Sequence, residues 1–263
     1  MSNSTSMSIA KPLTFILLFG CFKTSLSQET IKQEREILQD SIVFQIRTGI
    51  NIGGFSPLPL PAEIRKIKKF NPKLNFSVEG SATYWFRKSW GIRTGVRLEN
   101  KAMETDAQVK NYSMEIIGDN GERVAGNWTG GVSTQVINSY ITIPISATYA
   151  LNDKWGFSLG TFWSFLLEKD FSGYVYDGYL REGGATGNKV VFSGENTATY
   201  DFSNNLRTFV YGLEVGGNWR ASRHLNVFSN LNFELNNIFK SDFKTITFGM
   251  RPIYLNIGFG YVF

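Results

Sequence analysis

Cysteine and histidine are nearly absent. The 263 residues hold one of each, which excludes a disulfide framework, a Cys–His zinc site and a haem-attachment motif. Charge is also scarce. Asp, Glu, Lys and Arg make up 19% of the chain, below the roughly 25% usual in a soluble domain. Beyond the N-terminus no stretch approaches the roughly 18 consecutive apolar residues of a spanning helix. Aromatic residues reach 15%, and there are 26 glycines. That mixture excludes intrinsic disorder, which needs few aromatics and a high net charge.

Residues 1–27 read as an export signal. Lys11 supplies the positive flank, and Pro12-Leu-Thr-Phe-Ile-Leu-Leu-Phe-Gly-Cys-Phe22 the short apolar run. Ser25-Leu26-Ser27 places small residues where a signal peptidase reads, so cleavage is expected between Ser27 and Gln28. Leu18-Phe19-Gly20-Cys21 resembles a lipobox. Two outcomes stay open: a lipidated Cys21, or a cysteine lost with the leader. Removing Lys11 and Lys23 takes two from the net charge of +5 and leaves +3. The remaining basic residues are dispersed, so no nucleic-acid partner is expected.

From residue 43 onward the apolar period is two, the period of a strand with one buried face. The last segment shows it best. Ile253, Leu255, Ile257, Phe259, Tyr261 and Phe263 fall on one face, and Tyr254, Asn256, Gly258, Gly260 and Val262 on the other. Seven upstream segments repeat the pattern: 43–53, 75–87, 90–101, 139–151, 155–168, 208–219 and 225–236. The connections alternate between tight turns and long stretches at roughly 54–74, 102–138, 169–207 and 237–251. Short turns on one side and long loops on the other mark an outer-membrane barrel. The expectation is an all-β, eight-stranded, antiparallel, up-and-down transmembrane β-barrel over 43–263. A polar periplasmic lead-in over 28–42 precedes it.

Side-chain size sets the direction of the faces. The apolar face carries Trp, Phe, Ile and Leu from all eight segments, too many for the narrow interior of an eight-stranded barrel. It is therefore expected to face lipid. The interior is then lined by Arg47, Glu79, Arg87, Arg93, Arg97, Glu99, Glu168, Glu214 and Glu234, whose signs nearly balance. Such groups tolerate burial only when paired and hydrogen-bonded, so a side-chain-filled lumen is expected. Trp90, Tyr149, Trp155, Trp219, Tyr261 and Phe263 all lie beside tight turns or the C-terminal end. They read as a periplasmic aromatic belt. In the first long connection, Pro61-Ala-Glu-Ile-Arg-Lys-Ile-Lys-Lys69 reads as one short helix. Its Arg65, Lys66, Lys68 and Lys69 are candidates for contact with lipopolysaccharide phosphates.

Two stretches carry a family resemblance. Tyr140-Ile-Thr-Ile-Pro144-Ile, followed by Asn152-Asp-Lys-Trp-Gly156 and Leu159-Gly160, is similar to the core hairpin of the PorT-like outer-membrane β-barrel family. Thr142 stands where that pattern more often has an acidic residue. The final strand, ending in Phe263, looks like the insertion signal read by the barrel-assembly machinery. The resemblance implies an outer-membrane location in a Gram-negative-type bacterium, lipid and lipopolysaccharide as surroundings, and envelope or secretion proteins as partners.

No catalytic constellation, metal site or cofactor site is expected. The single histidine, His224, falls in a turn beside Ser222. Asp119-Asn120-Gly121 lacks the ligand series of a calcium loop and reads as a hairpin turn over 112–126. Tyr174, Tyr176, Tyr179 and Tyr200 enrich the 169–207 stretch, as a contact surface or as a strand extension. The expected function is non-enzymatic: recognition, envelope integrity or an accessory role in export. The alternatives are a narrow porin and an outer-membrane lipid-modifying enzyme.

Overall fold

The computed structural model describes residues 40–118, 121–184, 186–194 and 196–263. The expected leader, its Ser27–Gln28 cleavage site, Cys21 and the Asp119-Asn120 turn residues lie outside these. The elements are β1 (Ser41–Pro57), β2 (Ile64–Pro72), β3 (Asn75–Trp85), β4 (Trp90–Ile117), β5 (Arg123–Ala150), β6 (Trp155–Glu182), β7 (Lys189–Phe192), β8 (Ala198–Asp201), β9 (Phe209–Arg220), β10 (Leu225–Glu234) and β11 (Met250–Val262).

Antiparallel pairing runs β1–β3–β4–β5–β6–β9–β10–β11. It closes through β11 on β1, from Gln45↔Val262 to Pro57↔Met250. Eight strands therefore form an up-and-down ring, and β2, β7 and β8 are additions on its long-loop side. The ring is uneven. β9 and β10 have 12 and 10 residues, close to the roughly 9–11 that cross a bilayer. β4, β5 and β6 have 28 each and rise far beyond it.

Two expectations are corrected here. The stretches 102–138 and 169–207 are largely strand, not loop, because β4, β5 and β6 continue their ladders unbroken out of the ring. Residues 64–72 are a strand paired with β4, not part of a helix. The open edge of β4 above β3 offers unpaired backbone groups, and satisfying them outweighs local helical preference.

The chemistry of the two faces inverts with height. Near the tight turns, β4 points Arg93, Arg97, Glu99 and Lys101 inward, all buried. Ile92, Val96 and Leu98 are exposed outward. Other strands of the ring do the same: Trp163 on β6, Leu213 on β9 and Phe259 on β11 face out, and Glu214 is buried. At the row Met103↔Val136↔Phe171 the inward face turns apolar. Above it Val109, Val132, Val175 and Trp128 form a second, greasy core with Phe202 and Phe239. The lower half is surrounded by lipid and the upper half by water, so the apolar side points outward in one and inward in the other.

Candidate functional site

The lumen of the lower half is crossed by one chain of ion pairs. Arg47 on β1 donates to Glu79 on β3 at 2.9 Å. Arg97 on β4 bridges Glu79 at 2.7 Å and Glu214, across the ring on β9, at 2.6 Å. Arg93 completes the group on Glu214 at 3.0 Å. A second cluster lies one layer higher. Lys101 contacts Glu234 on β10 at 2.9 Å and Glu99 at 3.5 Å. Glu99 also accepts from the Thr142 hydroxyl at 2.8 Å and the Asn51 amide at 3.2 Å. Aromatic faces enclose the cations: Arg47 stacks 3.7 Å over Phe228, and Lys101 lies 5.0 Å from the Tyr140 ring. Room for such groups comes from small residues opposite them. Arg47 pairs in register with Gly260, where a Cβ would come within 3.1 Å of the Arg47 side chain.

The structure brings together Arg47, Glu79, Arg93, Arg97, Glu99, Glu214 and Glu234 in the interior. It does not bring in Arg87 or Glu168. β3 ends at Trp85, and Arg87 is exposed in the turn, exchanging backbone hydrogen bonds with Trp90. Glu168 follows a bulge in β6: Tyr140 faces Leu166 while Ser139 faces Glu168. One extra residue reverses the alternation, so Glu168 points out and accepts from Ser139 at 3.0 Å. Sequence reasoning missed Lys101, although its parity with Arg97 and Glu99 was a usable signal. It also missed Phe162, a large buried residue between Gly160 and Ser164 that no alternation of polarity marks.

The six turn-side aromatics form a rim. Trp90 and Tyr149 lie 4.8 Å apart between ring centroids, Trp155 and Trp219 6.4 Å, and Tyr261 and Phe263 5.2 Å. His224 stacks on Tyr261, and its Nδ1 lies 2.9 Å from the Val262 carbonyl oxygen. Both its ring face and one nitrogen are thereby engaged in the turn.

On the opposite end, Arg65, Lys66, Lys68 and Lys69 are exposed along β2. Lys68 donates to the Tyr176 hydroxyl at 3.3 Å, and that hydroxyl donates to Asp106 at 2.6 Å. Partial burial and the Asp106 acceptor push the Tyr176 phenol well above the ordinary tyrosine range. Tyr174 and Tyr179 share this outer region. Tyr200 is instead buried, bonded to Thr134 at 2.6 Å, and burial raises its phenol strongly.

A family model described as "Outer membrane protein beta-barrel domain" matches residues 28–240. No curated protein matches the chain. Among solved structures, the outer membrane protein OprG from Pseudomonas aeruginosa is 12% identical, covering 86% of this chain and 97% of its own, with a TM-score of 0.36. The attachment invasion locus protein Ail of Yersinia pestis is 10% identical, covering 86% and 99%, with a TM-score of 0.35.

Proposed function

Because the chain belongs to the outer membrane protein beta-barrel domain family, and is thus a β-barrel protein of a Gram-negative outer membrane, we propose that it is a sealed, non-enzymatic eight-stranded barrel whose outer half does its work. The observation that carries this is the ion-pair chain Arg47–Glu79–Arg97–Glu214–Arg93, which links β1, β3, β4 and β9 across the lumen. Solute passage would have to part several buried pairs at once, each costly to break. The working surface is then the part of β4, β5 and β6 above the bilayer, with its exposed tyrosines and basic β2. Binding groups sit disproportionately on such projections from a rigid scaffold.

The PorT-like hairpin favours envelope or secretion proteins as the partners of this surface, in an accessory export role. The turn-side aromatics act as the periplasmic belt, β2 meets lipopolysaccharide phosphates, and β11 with Phe263 serves the barrel-assembly machinery. Planar-bilayer recording tests the seal. Purified protein is expected to show no large, steady conductance, and finding one would favour the narrow porin. Cross-linking in intact cells tests the surface: envelope proteins captured by the full chain are expected to be lost when 112–126 is shortened to a tight turn.

A further inference from the structure

The wall has a gap at its outer end. β1 pairs with β3 only as far as Asn51↔Asn75. Beyond that, Ile52–Pro57 keeps its ladder with β11 alone. β2 takes the place of β3 beside β4, from Pro72↔Met103 to Ile64↔Val109. Among the described residues it has no ladder with β1. Pro57 and Pro72, one on each lip, offer no N–H. β2 also carries two register shifts, which turn its edge away. The result is a seam in the sheet, at the height where Ile52 and Leu98 end the apolar outer band.

A cavity of about 280 Å³ fills this seam. Phe55 and Pro57 line it from the inward face of β1, and Gly54 and Ser56 from the outward face. The cavity therefore passes through the wall. Its floor is buried Phe55, Met103, Val109 and Phe171; its rim is Ile67 and Phe70, 51% and 50% exposed. No charged side chain lines it, and its polar side chains are those of Ser56, Thr105, Tyr112 and Thr134. Phe70 reaches across the gap onto bare backbone: a Cβ on Gly54 would stand 2.8 Å from the Phe70 ring. A side chain at this position would push the ring back from the β1 backbone.

We propose that this cavity binds a small, uncharged, hydrocarbon-rich molecule of one or two rings, admitted through the seam past Phe70, just above the lipid-facing band. Burial of a charge among these residues would be prohibitive. An apolar cavity of about 150 Å³ suffices for benzene, so nearly twice that volume takes a two-ring molecule. The Lys101–Glu234 layer lies directly below, so the ligand leaves by the seam it entered. The site stands on the seam and its lining, independently of whether the lumen conducts.

Naphthalene is the probe. The full chain is reconstituted in phosphatidylcholine vesicles and dialysed against it. Wild type is expected to hold one naphthalene per chain beyond what the lipid dissolves. Ala107→Trp, which fills the cavity from β4, is expected to lose that excess while keeping heat-modifiable gel migration. Phe70→Ala, on a half-exposed rim residue, is expected to keep the excess and release it faster in stopped-flow fluorescence. Equal uptake by wild type and Ala107→Trp, or release unchanged in Phe70→Ala, would overturn the proposal. So would a phospholipid chain that co-purifies at one per protein and is not displaced by naphthalene.

Discussion

Glu214 holds two guanidinium groups, Arg93 at 3.0 Å and Arg97 at 2.6 Å, where neither has water to turn to. Removing one partner from a buried pair costs about 3–5 kcal/mol, because the remaining charge stays buried. Glu214→Gln is therefore expected to lower the urea midpoint of the reconstituted protein sharply. Glu168→Gln, exposed beyond the bulge, is expected to change stability by less than about 1 kcal/mol. Outside the bilayer, Asp201 caps a turn by accepting from the Ser203 backbone N–H at 2.8 Å. The Ser203 hydroxyl and this N–H hold its carboxyl below the ordinary range. A lowered folded-state pKa stabilises the turn above the unfolded value and loses that contribution as pH falls through the folded one. Amide protection at 203–205, taken relative to the intrinsic exchange rate at each pH, is expected to fall on acidification in wild type and to lack that dependence in Asp201→Asn. Glu79, Glu99, Glu214 and Glu234 were legible as interior residues because each falls on the polar face of a segment whose other face is apolar. Which cation each would meet was not, since the partners stand up to 133 positions apart.

Strands differ in how much of themselves the sequence reveals. β9 and β10 were legible almost to their ends, because lipid outside and polar lumen inside impose one alternation throughout. In β5 the same inward row runs from Ser146 and Thr142 through Asn138 to Val136, Val132 and Trp128. The period persists while the chemistry changes sides, and a search for one apolar face stops at the crossing. β2 was misread for another reason: a short basic segment has no period of its own, and the free edge of β4 decided its form. Exchanging Arg65, Lys66, Lys68 and Lys69 together for Gln is expected to weaken binding to lipopolysaccharide micelles without altering gel migration. Unchanged binding would remove β2 as the contact. At the other end, Phe263→Asp is expected to reduce the amount of folded protein in the outer membrane while leaving refolding into detergent unchanged, if β11 is read by the assembly machinery.

At the scale of the whole molecule, closure of the ring satisfies the backbone groups that lipid cannot. Heat-modifiable migration is expected for wild type, with the folded form running faster than the boiled one. The height of the structure is a second consequence. The upper half has its own apolar core around Trp128, Phe171 and Phe239, so it is a shaped body and not a set of loose connections. By itself the sequence determined the period of two, the outward direction of the greasy face, the turn-side aromatics and the outer-membrane location. These follow from local backbone geometry and from the solvent each face meets. Only the tertiary structure decided the ion-pair partners, the bulge that turns Glu168 outward, the second core and the seam between β1 and β2. Each of these depends on which distant strand edge becomes the neighbour, and alternation along a single strand carries no information about register with another.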